Sequence, residues 1–225
     1  FTFLELGAYT GLALSNTVKF ERCLGWRGVL VEPMPANFKQ LRVNRPCAAL
    51  FHEAVCATES ELAFTGGKGD AGEASSVAGS VAHVSDVFAN TYHRHKTEVK
   101  VRCRPLRDML REAHGGVRRV DFLSLDVEMM ELEVLRSIDW GATAVGVLIS
   151  ETDSYTHDAE QVAQNERVRA YLATVGMLWL PKDMHVGNSP LRVHRSDVFV
   201  SRAVFGALDE GERACAPDAQ CSART

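Results

Sequence analysis

Strand-length apolar runs alternate with helix-length amphipathic runs along most of the chain, and no other feature of the sequence constrains the fold as much. A strand followed by a helix must be crossed over before the next strand can lie parallel to it. The pattern therefore calls for a parallel sheet with helices on its faces. Phe1–Leu6 reads as a first strand, Leu12–Leu24 as a helix ended by Gly25, and Gly28–Val31 as a second strand closed by Glu32-Pro33. Ala36–Val43 reads as a helix stopped at Arg45-Pro46, and Ala48–Val55 as a third strand. After a short alternating strand at Val99–Arg102 and a helix at Leu106–Ala113, the pattern resumes. It gives strands at Val120–Leu125 and Ala144–Ile149, and helices at Glu131–Ile138 and Ala159–Thr174. Met177–Leu180 and Asp197–Ser201, with a turn at Gly187–Pro190 between them, read as an antiparallel hairpin at the sheet edge.

The alternation breaks at Thr65–Ser80, where five glycines sit among small residues and no apolar period survives. This reads as a flexible loop, either a binding lid or a surface insertion. The chain is thus expected to form one domain over 1–205, with a flexible insertion at about 65–96 and a polar tail at 206–225. A length of 225 residues with 46% apolar side chains suffices for one sizeable core. The 25 basic and 29 acidic side chains leave a charge of −4, which argues against a broad nucleic-acid interface. No run approaches the roughly 20 apolar residues of a membrane span, so the chain reads as soluble and, by default, cytoplasmic. Oligomeric state is not legible. None of the six cysteines forms a CxxC pair. Cys47, Cys56 and Cys103 read as small core residues, whereas Cys215 and Cys221 could pair in an oxidising compartment.

The chemistry gathers where the first strand runs into Glu5-Leu6-Gly7-Ala8-Tyr9-Thr10-Gly11. The glycines there would let backbone approach a ligand closely. The pattern is not GxGxxG, which disfavours a nicotinamide oxidoreductase. Glu5 would repel a phosphate and suit a cationic or amino-bearing ligand such as the methionyl end of S-adenosylmethionine. Twenty-one residues beyond Gly11, Glu32 ends the second strand, where a carboxylate can accept both hydroxyls of a ribose. No Ser-His-Asp set or GxSxG elbow supports hydrolase chemistry. His93 and His95 read as part of a solvated basic stretch, and His157 and His185 as remote candidates for a base.

Two blocks carry a specific resemblance. The first is Phe3-Leu4-Glu5-Leu6-Gly7-Ala8-Tyr9-Thr10-Gly11-Leu12-Ala13-Leu14-Ser15-Asn16-Thr17, with Phe20-Glu21, Leu24-Gly25-Trp26-Arg27-Gly28 and Val31-Glu32-Pro33 after it. The second is Val120-Asp121-Phe122-Leu123-Ser124-Leu125-Asp126-Val127-Glu128 with Glu131-Leu132-Glu133-Val134-Leu135. Together they resemble the FkbM family of S-adenosylmethionine-dependent methyltransferases from about Phe3 to about Arg202, outside the loop around Gly66–Ser80. The resemblance implies a class I methyltransferase fold: a Rossmann-like α/β architecture with a seven-stranded, mostly parallel sheet, helices on both faces and an antiparallel last strand. It implies that Glu5, Gly7, Ala8 and Gly11 line the methionyl and ribose side of S-adenosylmethionine. Ser15 and Asn16 would start the first helix as caps or carboxylate contacts. Glu32 would hold the ribose with Pro33 beside it, and Glu53 and Ala54 would flank the adenine.

Asp126 and Glu128 follow one strand and Glu151 ends the next, so three carboxylates are expected near the transferred methyl group. Asp126 is the first candidate for a base or orienting group and also a cofactor contact; Glu128 is the second. An alternative has the three carboxylates hold Mg²⁺ or Ca²⁺. The expected activity is methyl transfer to oxygen on a small-molecule or glycan-type acceptor. The family usually places a small Gly after Glu128, but here Met129 and Met130 follow. Bulk at Met129 is expected to crowd the acceptor pocket, and this motivates a rival reading: a catalytically silent binding protein with the same fold.

Overall fold

A computed structural model describes residues 1–66, 78–80, 98–152, 159–180, 185–186, 189–190 and 196–205. The expected tail at 206–225, with Cys215 and Cys221, lies outside the described residues, as do His93, His95, His157 and most of the 65–96 insertion.

The strands are β1 (Thr2–Leu6), β2 (Arg27–Val31), β3 (Ala49–Phe51), β4 (Ala54–Val55), β5 (Ser60–Gly66), β6 (Ala78–Ser80), β7 (Val99–Arg104), β8 (Arg119–Leu125), β9 (Ala144–Glu151), β10 (Met177–Leu180), β11 (His185–Val186), β12 (Ser189–Pro190) and β13 (Ser196–Ser201). The helices are α1 (Val18–Leu24), α2 (Pro35–Asn44), α3 (Leu106–Glu112), α4 (Glu131–Arg136), α5 (Ala159–Thr174) and α6 (Arg202–Phe205). Seven strands form the main sheet in the order β10-β13-β9-β8-β1-β2-β3. Its β9-β8-β1-β2-β3 portion is parallel throughout, while β13 runs antiparallel to both β9 and β10. The last strand therefore inserts inside the sheet and leaves β10 at the edge, where the sequence pattern placed the whole hairpin.

Side chains alternate between the sheet faces, as the period of a strand requires. Leu4 and Leu6 of β1, with Val29 and Val31 of β2, join one core with Met109 and Leu110 of α3, Leu132 and Leu135 of α4, and Val168 and Leu172 of α5. Phe3 and Leu30 point the other way, into a second core with Leu41 of α2 and the rings of Phe20, Trp26 and Phe38. Helices thus cover both faces. Pro35 opens α2 at a position where its missing N–H costs nothing. Gly25, in the left-handed region at φ 66, closes α1: its N–H donates to the Glu21 carbonyl and the following Trp26 N–H to the Phe20 carbonyl.

The third strand departs from its expected form. It is broken at His52-Glu53, so that β3 stays in the main sheet while β4 joins a separate four-stranded sheet, ordered β4-β7-β5-β6. A hairpin of β5 and β6 occupies the described ends of the glycine-rich segment. Phe64, Val101, Cys103, Met34 and Met130 form a third apolar cluster between the two sheets.

Candidate active site

The parallel strands β1, β2, β8 and β9 all end at one edge of the main sheet, the edge where open α/β folds bind ligands. A cleft opens there. Its walls come from successive strand ends: Leu6, Gly7 and Tyr9 after β1; Val31, Glu32 and Pro33 after β2; Glu53, Ala54 and Val55 around β4; and Asp126, Val127, Glu128 and Met130 after β8. Asn37 of α2, Val134 of α4 and Phe64 of β5 complete it. Among the described residues, four carboxylates line the cleft and no Lys, Arg or His does.

Glu32 is only 3% exposed. Its Oε1 accepts the Met34 N–H at 2.8 Å and an Asn37 Nδ2 hydrogen at 3.0 Å, and its Oε2 accepts the Tyr9 N–H at 2.8 Å. Burial outweighs these three donors and raises its pKa from 4.5 to about 7. Oε2 keeps lone-pair capacity toward the cleft, since a carboxylate oxygen can accept more than one hydrogen bond. Glu53 is gripped from β7, with Arg102 Nη1 on Oε1 at 3.2 Å and Arg104 Nε on Oε2.

Asp126 is pinned to β1 through its N–H on the Leu6 carbonyl at 3.2 Å. Its pKa lies well above the ordinary carboxylate value, through burial first and then through a hydrogen bond and charge repulsion from Glu151. The β8–β9 register, which pairs Leu125 with Ser150, sets these two carboxyls side by side at adjoining strand ends. Glu131 begins α4 and folds back, so that its Oε1 accepts the Met129 N–H at 3.2 Å. Burial raises its pKa to about 7, and its Oε2 has no hydrogen-bond partner among the described residues. Among the described residues no group of three or more His, Cys, Asp or Glu side chains is arranged to hold a metal ion.

Of the residues expected to bind the cofactor, the structure brings Gly7, Glu32, Pro33, Glu53, Ala54 and Asp126 to the cleft, together with Glu128. It does not bring Glu5, Ala8, Gly11, Ser15 or Asn16 to the cleft wall. Glu5 is instead the centre of a buried knot. It accepts Ser15 Oγ at 2.9 Å, the Asn16 N–H at 2.9 Å and Thr17 Oγ1 at 2.6 Å. Arg45, with no exposure at all, closes the knot by donating to the Gly11 carbonyl, Ser15 Oγ, Thr17 Oγ1 and Glu21. Ser15 and Asn16 are therefore neither helix caps nor the start of the helix. The pull of Glu5 and the left-handed Leu14 (φ 61) delay α1 until Val18.

The glycines, too, serve the protein's own packing. A Cβ on Gly7 would overlap the Asp126 carbonyl oxygen, and one on Gly11 would sit 2.5 Å from Leu41 Cδ1 and 2.6 Å from Arg45 Cγ. Of the two methionines, Met130 lines the cleft and Met129 is not among its described lining residues. What makes a glycine natural at 129 is the backbone, since Glu128 and Met129 adopt φ 50 and φ 75 in succession. Gln164 of α5 holds that turn through the Met129 carbonyl at 3.1 Å. The cysteine expectations also change: Cys56 and Cys103 form a disulfide, and Cys47 is exposed and free.

Sequence reasoning missed Tyr9, Asn37, Phe64 and Glu131. Asn37 carried a signal: it sits four residues before Leu41 on the buried face of α2, and a polar residue at a core position asks for a buried partner.

Residues 5–177 match the family model of the Methyltransferase FkbM domain, most of the 225-residue chain. No curated protein matches the chain. The strand order, the cleft at the ends of the parallel strands and this match agree, and the chain belongs to the FkbM methyltransferase family.

Proposed function

We propose that the protein transfers a methyl group from S-adenosylmethionine to a hydroxyl oxygen of a small-molecule or glycan-type acceptor. The observation that carries the reading is the buried Glu32 carboxylate at the end of β2, fixed by three donors and still facing the cleft. Such a group suits the two hydroxyls of a ribose. The carboxylates of the lining, with Asp126 and Glu128 beyond Glu32, suit a ligand of positive charge. Residues of the right kind are thus present for the cofactor, with Glu32 and Asn37 toward the sugar and Glu53, Ala54 and Phe64 toward the base.

S-adenosylmethionine, when bound, supplies an electrophilic methyl group on a sulfonium. The chain's part is to align the acceptor and to take up its proton. Burial and the adjoining Glu151 hold the Asp126 pKa well above the ordinary carboxylate value, which suits Asp126 to take up a proton. Asp126 in its carboxylate form accepts the hydroxyl proton at a carboxylate oxygen. Asp126→Asn is then expected to lower kcat by about 10²–10⁴-fold.

The test is incubation of the protein with methyl-labelled S-adenosylmethionine and a metabolite extract, followed by mass spectrometry. The expected result is label on a neutral, hydroxyl-bearing product and loss of that label in Asp126→Asn. Label confined to amine nitrogen would overturn the oxygen assignment, and no transfer to any acceptor would overturn the activity.

A further inference from the structure

The Cys56–Cys103 disulfide lies behind the cleft wall. β7 is the spine of the small sheet: it pairs with β4 in parallel, Ala54 with Cys103 and Val55 with Arg104, and with β5 antiparallel, from Ser60–Cys103 to Phe64–Val99. Both neighbours of β7 supply cleft residues, namely Ala54 and Val55 from β4 and Phe64 from β5. β4 is only two residues long, so its ladder alone holds it weakly. Other bonds from β7 reinforce it. The Cys56 N–H donates to the Arg104 carbonyl at 3.2 Å, Arg102 and Arg104 grip Glu53, and Cys103 is joined covalently to Cys56. Both bridged cysteines are buried, at 3% and 0% exposure, while Cys23 and Cys47 remain free and exposed.

We infer that the Cys56–Cys103 disulfide is a positioning element for the base-side wall of the cofactor cleft, and that the chain acquires it in an oxidising compartment. The inference rests on the proposed cofactor. The bridge forms by exchange with a disulfide-bearing oxidoreductase. Thiols 56 and 103 give up two electrons and two protons to form the S–S bond, and the donor's disulfide is reduced to two thiols. With the bridge closed, Ala54 and Val55 keep a fixed distance from Phe64 across β7. With it open, β4 keeps only non-covalent ties to β7, namely its short ladder, the Cys56 N–H bond and the Glu53 ion pairs, and the wall widens on the side where the adenine ring is expected. This departs from the default cytoplasmic reading of the sequence, because such bridges persist where thiols are not kept reduced.

The experiment compares S-adenosylhomocysteine binding by calorimetry in the oxidised wild-type protein, the Cys56→Ala/Cys103→Ala double variant and Ile138→Ala. Ile138 is a core residue outside the cleft wall, so its variant loses stability without touching the site. The double variant is expected to bind at least tenfold more weakly, and Ile138→Ala within twofold of wild type, although both melt at lower temperature. Equal affinities, or an equal loss in both variants, would overturn the inference. If the double variant does not fold, the wild-type chain purified with both thiols reduced is compared before and after oxidation. A tenfold gain on oxidation supports the proposal, and no gain overturns it. Peptide mapping without reductant must join the peptides of Cys56 and Cys103; a map that pairs either with Cys23 or Cys47 overturns it as well. Failure of the oxidised wild type to bind S-adenosylhomocysteine would sink the cofactor reading and this inference with it. Binding that ignores the bridge would sink the inference alone.

Discussion

Glu32 has a different pH dependence for stability than for ligand binding. Its pKa is near 7 in the fold against an ordinary 4.5. Between those values the unfolded chain ionises Glu32 and the folded chain does not, so the native state loses ground as pH rises and bears the full cost, on the order of 3 kcal/mol, above about 7. Glu131 is also held near 7 by burial and adds a cost of the same sign. The ligand-free protein is expected to melt at higher temperature as pH falls from about 8 toward 5; a flat or falling curve would contradict the burial argument. Hydroxyl donors favour the ionised form, so cofactor binding near pH 7 should release a proton. Calorimetry in buffers of different ionisation enthalpy reads that release directly. Met129 makes a separate residue-scale prediction. Its side chain lies outside the cleft wall and its φ of 75 favours glycine. Met129→Gly should therefore stabilise the protein by about 0.5–1 kcal/mol and leave S-adenosylhomocysteine affinity unchanged. A loss of stability in urea titration would refute the strain.

At the scale of elements, the segment between β1 and α1 owes its shape to Glu5 and Arg45. Arg45 sits at the end of α2, yet its guanidinium reaches the Gly11 carbonyl and lies 3.9 Å from Glu5. Arg45→Ala would leave the buried Glu5 carboxylate without its cation and is expected to cost about 3–5 kcal/mol. For a chain of this size that lowers the melting temperature by on the order of 10 °C. A drop of only a degree or two would show that the knot does not hold the turn. This knot also explains how far the sequence could be read. The strand and helix alternation was legible because apolar period survives tertiary context, and α5 spans Ala159–Thr174 as expected. The strand-end carboxylates Glu32 and Asp126 were legible because topology alone carries them to one sheet edge. Glu5 was not, since its partners lie at 15–17 and 45, separations that no local pattern reveals. The break at His52-Glu53 was hidden for the same reason: β4 leaves the main sheet to pair with β7, some 50 residues further along.

For the molecule as a whole, two sheets share the task of building one cleft. The main sheet supplies Glu32, Asp126 and Glu128 at its strand ends, and the small sheet supplies apolar wall through Ala54, Val55 and Phe64. The disulfide closes a loop with a sequence separation of 47 residues, which by chain entropy is worth about 4 kcal/mol of stability. Urea unfolding with and without reductant should show a difference of that order, and coincident curves would mean that the bridge constrains nothing. No helix among the described residues is long and apolar enough to cross a membrane.

The central claim is that the cleft grips a ribose through Glu32, and titration of Glu32→Gln with S-adenosylhomocysteine tests it most directly. The account predicts a variant that still folds by circular dichroism and binds about 10- to 100-fold more weakly than wild type, the loss of a charged hydrogen-bond acceptor. A folded variant with wild-type affinity would contradict it.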